Sequence, residues 1–423
     1  MKTSTSKRLR WNVAIWLAAG LFMTSTAGMA SGPILPNPKA EARHQPQVEE
    51  TANGISLVNI TAPSSGGVSR NEYETFNVPD KGAILNNSYT LSKTELAGYV
   101  QGNNNMAERP AKIIVNEVTG TGSTSMDGFL EVAGNRADVV IANPNGITVN
   151  GGGFINTGKA FLTTGKPVYD GEDHLQRFDI TGGDILIEGK GLGGKETGSL
   201  AILSRAVKIN AGIWAKDLHI TTGANTVDAK TLEASAIEGK GERPAFALDT
   251  AAIGGMYAGR ITLVGTEKGL GVNNSGTWSA EDNLTLDWNG DLKNSGTIYS
   301  KGNADLRASH LENDKTIAAE RNLSAAAKEN IRNQGKLLAG ENMDIYAGKT
   351  LDNAGHAMES GNNLSIETGD AINNTAGTIK SGGSQQIKAG HTLTNTEGTL
   401  AADGNINIPV SYTHLRAHET SAH

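Results

Sequence analysis

The sequence of 423 residues predicts an all-β chain wound as a β-solenoid, and three observations carry that expectation. The first is Arg136-Ala137-Asp138-Val139-Val140-Ile141-Ala142-Asn143-Pro144-Asn145-Gly146-Ile147-Thr148-Val149-Asn150, followed by Gly151, Gly152 and Gly153. Two short β-branched runs flank Asn-Pro-Asn-Gly, in which Pro144 presets φ and Asn145 and Gly146 supply the conformations that close a tight turn. Such a strand-turn-strand unit cannot bury two apolar faces alone, so it needs similar units stacked above and below. The second observation is a countable repeat. An apolar residue stands two positions before each of Asn274, Asn294, Asn313, Asn333, Asn353, Asn374 and Asn395, and these asparagines are 20, 19, 20, 20, 21 and 21 residues apart. The third is composition: 37% hydrophobic and 5% aromatic residues with 53 glycines suit a thin solenoid core with many corners better than a compact globule.

Met1 to Ala30 has a basic start, an apolar run from Trp11 to Met23, and Gly28 and Ala30 placed for cleavage before Ser31, which reads as a secretory signal peptide. Its apolar run is too short to span a bilayer. Residues 31-50, with Pro33, Pro36, Pro38 and Pro46 among polar residues, read as an unstructured Pro-rich leader, with an extended cap as the alternative. Residues 51-270 are short strands such as Ile113-Ile114-Val115 and Ile185-Leu186-Ile187, separated by Gly and Asn. Val227 to Glu242 is an excursion rich in Ala, Lys and Glu, and strands return at Tyr257 to Val264. Residues 271-408 hold the repeats of about 20 residues.

The repeat has a physical reason. Inward apolar positions must align from coil to coil, while a corner Asn tolerates the left-handed conformation and passes an amide hydrogen bond to the next coil. Seven coils about 4.8 Å apart extend roughly 34 Å. A helix from Ile317 to Leu338, suggested by its Ala, Glu, Lys and Leu, is rejected because the repeat register runs through it. Residues 409-423 abandon the repeat and hold three of the nine histidines, and they read as non-native sequence rather than a metal-binding tail.

Asn143-Pro144-Asn145-Gly146-Ile147, with Arg136-Ala137-Asp138 before it and Gly151-Gly152-Gly153-Phe154-Ile155-Asn156 after it, resembles the signature of two-partner secretion exoproteins of the filamentous-haemagglutinin type. The resemblance extends to Phe76-Asn77-Val78-Pro79, Gly82-Ala83-Ile84-Leu85-Asn86-Asn87-Ser88, Ile114-Val115-Asn116-Glu117-Val118, Ser204-Arg205-Ala206 and Gly254-Gly255-Met256-Tyr257-Ala258-Gly259. It implies a right-handed parallel β-helix with an N-terminal cap and short extra-helical strands. The family's second motif, Asn-Pro-Asn-Leu, falls on Asn103-Asn104-Asn105-Met106, where Asn replaces Pro and Met replaces Leu, so a less rigid turn is expected there.

The resemblance also implies partners. They are the Sec machinery and signal peptidase, an outer-membrane two-partner secretion transporter whose periplasmic POTRA domains grip the unfolded chain around Asn143 to Ile147, and a host-cell surface glycan or protein. The expected location is secreted or on the surface of a Gram-negative-type bacterium, reached through the periplasm. An absence of cysteine suits a chain that must thread a pore, because periplasmic disulfides would lock it first. The Gly-Gly-Met-Tyr-Ala-Gly segment and Asn-rich repeats favour an adhesin; the shaft of a contact-dependent growth inhibition toxin or a haemolysin shares the same plan.

No catalytic, cofactor or metal constellation is expected. Gly189-Lys190-Gly191-Leu192-Gly193-Gly194 matches a dinucleotide fingerprint, but strand rather than helix follows it. Gly153 to Ala160 resembles a phosphate loop, yet Ala160 stands where a magnesium ligand belongs. Asp170, Glu172, Asp173 and His174 read as a solvated acidic turn rather than a calcium or zinc site. Removing the four cations of the first thirty residues takes the net charge from −7 to −11, which disfavours nucleic acid as a partner. The remaining alternative from another class is a polysaccharide-degrading β-helix enzyme, which needs acids projecting together from neighbouring coils.

Overall fold

The computed structural model describes residues 34–107 and 109–409. The expected signal peptide (1-30) and all of the expected non-native tail beyond Pro409 lie outside the described residues. Parallel strands stack into a right-handed β-helix. In the repeats each coil supplies one strand to each of three faces, for instance Gly271–Asn274, Thr277–Ala280 and Leu284–Trp288. The first face continues as a sheet of 12 strands from Thr124–Met126 to Thr392–Thr394. The other two faces join into one sheet because Gly212–Thr222 and Gly255–Gly265 each run round the bend between them. The segment 317-338, helical by propensity, is built of strands, including Thr316–Ala319, Leu323–Ala327 and Lys336–Ala339. Propensity yields there because alternate residues, Ile317, Leu323, Ala325, Ala327, Ile331 and Leu337, all enter the core.

Register explains the repeat. Val272, Leu292, Leu311, Ile331, Leu351, Ile372 and Leu393 lie one above another and are all buried. A second inward column runs Trp278, Ile298, Ile317, Leu337, Met358 and Ile379. Each such side chain contributes about 1.5–3 kcal/mol by leaving water, but only when a coil stands on either side of it. At the corners, glycine is required where coils touch through backbone: a Cβ at Gly335 would stand 2.0 Å from the Lys315 carbonyl oxygen.

Two pieces lie outside the spiral. Lys166–Tyr169, Leu175–Ile180, Asn225–Asp228 and Ala234–Ala236 form an antiparallel sheet, into which the 227-242 excursion falls. It covers outward-facing Val68, Val115, Val140, Phe161, Ala201 and Leu203 with Phe178, Ile180 and Val227, so these coils are apolar on both sides. A hairpin, Ser92–Thr94 with Gly98–Val100, similarly brings Val100 against Ile55, Leu57 and Ile84.

The Pro-rich leader is not unstructured over residues 34-50. Leu35–Pro36 pairs antiparallel with Val68–Thr75, and Gln47–Glu50 pairs antiparallel with Ser56–Asn59. Ile34 and the His44 side chain are buried. Proline excludes helix and central strand but suits an edge, so the segment closes the first coil as a cap. Beneath it His44 Nδ1 lies 3.1 Å from Glu72 Oε1, Arg70 Nη2 lies 2.9 Å from the same oxygen, and the Arg70 guanidinium sits 4.5 Å over the Tyr169 ring. Arg70 Nε and Glu117 Oε2 are 3.5 Å apart, an ion pair without a good hydrogen bond, and burial pushes the Glu117 carboxyl above its ordinary value.

Burial, and then the Arg70 charge, hold His44 below the ordinary 6.5 despite Glu72. The folded state therefore favours the neutral ring, and its advantage is complete above pH 6.5 and lost as pH falls below it. Amide exchange of residues 42–50 should accelerate on acidification below that point, beyond the general trend, and His44→Gln should flatten the response. In the repeats, Asn333→Leu should cost roughly 2–4 kcal/mol, since each buried polar group left without its partner costs about 1–3 kcal/mol. Denaturant unfolding and exchange rates in the flanking coils measure that loss, and Asn395→Ala, at the outermost rung, should cost less.

Candidate functional site

The candidate site is a set of asparagine-held turns. Strands Ala137–Ala142 and Ile147–Val149 flank the Asn143 to Gly146 turn. The Asn143 carbonyl accepts the Gly146 N–H at 3.1 Å, and its side-chain Oδ1 accepts the Asn145 N–H at 2.9 Å. Gly146 has φ 108°, a conformation that disfavours any side chain. The two amide nitrogens face backwards along the chain. Asn143 Nδ2 donates to the Gly122 carbonyl (2.9 Å) and Thr124 Oγ1 (3.0 Å), and Asn145 Nδ2 donates to the carbonyls of Gly120 (2.9 Å) and Gly122 (3.3 Å). Asn143 and Ile147 are buried, whereas Pro144 and Asn145 are exposed. The turn thus fastens the loop before Thr124–Met126, the strand directly beside Ile147–Val149.

The altered second motif makes the same turn. Asn103 accepts the Met106 N–H on its carbonyl at 3.1 Å and the Asn105 N–H on Oδ1 at 3.0 Å. Asn103 Nδ2 donates to the carbonyls of Ile60 and Asn86, both at 2.9 Å, and Asn105 Nδ2 donates to Ile60 at 3.1 Å. Asn104 occupies the exposed position held elsewhere by Pro144, and Met106 fills a core position. The loosening expected from losing proline is not visible in these bonds, because two asparagine side chains and not the proline ring make the contacts.

Around the first turn, Arg136 Nη2 donates to the Thr157 carbonyl at 2.7 Å, and Asp138 Oδ1 accepts the Lys159 N–H at 2.7 Å. Burial raises the Asp138 carboxyl above its ordinary value against the lowering by that N–H and by the Lys159 and Arg136 charges. Both residues tie the turn to the next coil.

In the repeats, Asn274, Asn294, Asn313, Asn333, Asn353, Asn374 and Asn395 form one ladder, each Nδ2 donating to the next Oδ1 at 2.7–2.8 Å. A second ladder at another corner was not anticipated. Oδ1 of Asn283, Asn303, Asn322 and Asn342 accepts the backbone N–H of Asn303, Asn322, Asn342 and Asn363 respectively. Its signal was present in the sequence, since these asparagines also recur every 19 to 21 residues.

The other candidates serve local structure. Asp170 Oδ1 accepts the N–H groups of Glu172 and His174, both at 2.9 Å, while Asp173 pairs with Arg43 at 2.8 Å. Asp170 is held below its ordinary value by the backbone and side-chain bonds from His174. Gly189 and Gly191 stand at a coil corner, Gly193 and Gly194 lie in strand Leu192–Gly194, and strand Ser199–Ser204 rather than a helix follows, while 153-160 lies in strands Gly152–Ile155 and Thr157–Thr163 with Asn156 between them. Among the described residues no group of three or more His, Asp or Glu is placed to hold a metal ion.

The family model described as the TPS secretion domain matches residues 33–300, and that of the haemagglutinin repeat matches 300–356 and 345–423. The crystal structure of a filamentous hemagglutinin secretion domain superposes with a TM-score of 0.53 over 89% of this chain and 100% of that one, at 24% identity, a likeness of fold. The chain is 40% identical over 297 residues to Toxin CdiA of Yersinia pestis, covering 65% of this chain and 9% of the relative. It is 39% identical over 347 residues to the 16S rRNA endonuclease CdiA of Enterobacter cloacae, covering 76% and 10%. It is 41% identical over 283 residues to the tRNA nuclease CdiA of Escherichia coli, covering 65% and 9%. The chain therefore spans about a tenth of the length of the curated relatives it matches. A stacked β-helix with asparagine-held turns, matched over more than half its length by the secretion-domain model, places this chain in the TPS secretion domain family, that of the two-partner secretion exoproteins.

Proposed function

We propose that this chain is the transporter-recognised and shaft-forming part of an adhesin, carried by the Sec machinery into the periplasm, freed by signal peptidase, and passed through an outer-membrane partner. The carrying observation is the direction of the clamps. Asn143 and Asn145 reach back to residues 120–124, and Asn103 and Asn105 reach back to Ile60 and Asn86. Each turn therefore fastens chain that has already emerged. A coil so fastened buries apolar surface and opposes backward sliding, which gives export a direction without another energy source. Before folding, the extended strands offer unpaired backbone to the periplasmic POTRA domains, which suits recognition by strand addition. Once outside, the shaft displays an adhesive surface to a host glycan or protein.

The curated relatives favour a second reading, in which the same shaft carries a toxin at its far end, since they are named as a toxin and as nucleases. Co-culture separates the two: growth inhibition of neighbouring bacteria only on contact marks a toxin shaft, whereas agglutination of host cells without such inhibition marks an adhesin. A polysaccharide-degrading enzyme has less support, because the acidic turn at 170–174 is occupied by its own loop and by Arg43.

Asn145→Ala should lower secretion several-fold while signal-peptide cleavage proceeds, and immunoblots of medium and periplasm with equal secretion of both forms would reject its role. Asn104→Pro should leave secretion intact and stabilise the fold by about 0.4–1 kcal/mol, because proline suits that turn position and reduces the freedom of the unfolded chain. A lower melting temperature would show that the two turns are not equivalent.

A further inference from the structure

One outward face of the β-helix carries a column that neither the turns nor the ladders use. Successive rungs place Phe129, Gly153, Gly193, Trp214 and Tyr257 side by side, with Leu130, Phe154, Leu192, Ile213 and Met256 next to them pointing into the core. The Trp214 and Tyr257 rings are 17° from parallel with centroids 6.1 Å apart. Glycines let the rings lean onto the sheet: a Cβ at Gly153 would stand 2.4 Å from the Phe129 ring, and one at Gly212 2.4 Å from the Trp214 ring. Phe129 and Tyr257 nevertheless remain 43% and 39% exposed. Between the Phe129 and Trp214 rings, Gly193 leaves a notch lined also by Lys195 and Glu196.

The charges beside this strip are uneven. Lys195 and Lys216 flank Trp214, and neither forms an ion pair among the described residues; Glu196 at the notch is likewise in none, and Glu281 beyond Tyr257 is paired with Lys301, which leaves two free cations against one free anion beside Trp214. The strip is one side chain wide and follows the stacking direction with a step of about 4.8 Å. That shape suits a linear polymer of flat rings better than a broad protein face. An exposed aromatic face packs against the apolar face of a sugar ring, and an unpaired ammonium donates to its carboxylate. The strip also exists only after these coils have stacked, so its ligand meets the folded chain outside the cell rather than the unfolded chain in the transporter.

We infer that Trp214 and Tyr257, with the Gly193 notch and with Lys195 and Lys216, form a binding site for an acidic polysaccharide. This deepens the adhesive reading and rests on it. Trp278 and Trp288 are buried away from the strip, so a change in tryptophan fluorescence of the secreted protein on adding ligand reports chiefly on Trp214. Titration with a hyaluronan octasaccharide should change that signal saturably. Affinity followed by calorimetry should fall at least tenfold in the double variant Trp214→Ala with Tyr257→Ala. In Lys195→Gln with Lys216→Gln it should fall several-fold and lose its salt dependence. Circular dichroism melting separates loss of fold from loss of binding, and the exposed lysines test the site even if the aromatic variant misfolds. No binding by the unmodified protein, equal binding of a neutral cello-oligosaccharide, or unchanged affinity in the lysine variant would overturn the site. Binding retained without host-cell agglutination supports the site and rejects the adhesive reading alone.

Discussion

Every coil of this molecule must hand its backbone and corner polar groups to a neighbour about 4.8 Å away, and that single spacing governs the rest. A parallel coil has no partner for its N–H and C=O groups within itself, so an isolated coil carries a full row of unmet donors and acceptors. Stacking meets them and at the same step buries the inward Leu, Ile, Val and Met. Stability is therefore approximately a sum over neighbouring pairs of coils, not a property of one compact centre.

Corners are where this arrangement is hardest to satisfy, because the chain turns and its backbone groups splay. The asparagine ladder answers with side-chain amides, which offer both a donor and an acceptor and so repeat indefinitely along the axis. Asn294, for instance, passes Nδ2 to Asn313 Oδ1 and also reaches the Thr316 carbonyl, leaving no amide group idle. In the secretion-domain region the corners are less regular, and asparagine works in pairs that reach backwards. The same chemistry thus serves two ends: uniform stacking in the repeats, and fastening of each turn to chain that precedes it in the region that the secretion-domain model matches.

Edges and outward faces are handled differently along the length. The first coil would expose an open edge, and the Pro-rich segment closes it with antiparallel pairing and with buried His44 set against half-buried Glu72 and Arg70. The next coils are covered by an additional antiparallel sheet, so their strands read as continuous apolar runs such as Val139-Val140-Ile141-Ala142. In the repeats the outward positions are polar and alternate with the core, as in Leu284–Trp288. The aromatic strip runs over an uncovered face of the same coils whose neighbouring face that sheet covers, and reaches Tyr257 just before the repeats.

The sequence alone determined the winding, because periodic residues state it directly. Asn at 20-residue spacing with an apolar residue two positions earlier fixes the coil length and the inward side, and Asn143 to Gly146 specifies a turn from its local chemistry. At 317-338 propensity pointed to a helix, and the repeat register, the stronger signal, prevailed. What no periodicity encodes is contact between unlike segments. The docking of residues 34–50, the covering sheet assembled from 166–180 and 225–236, and the equivalence of Asn103 to Met106 with the proline-containing turn all depend on partners distant in the chain. Only the tertiary structure decided these, since burial and hydrogen bonding there are set by what the stacked coils bring alongside, not by the residues' own preferences.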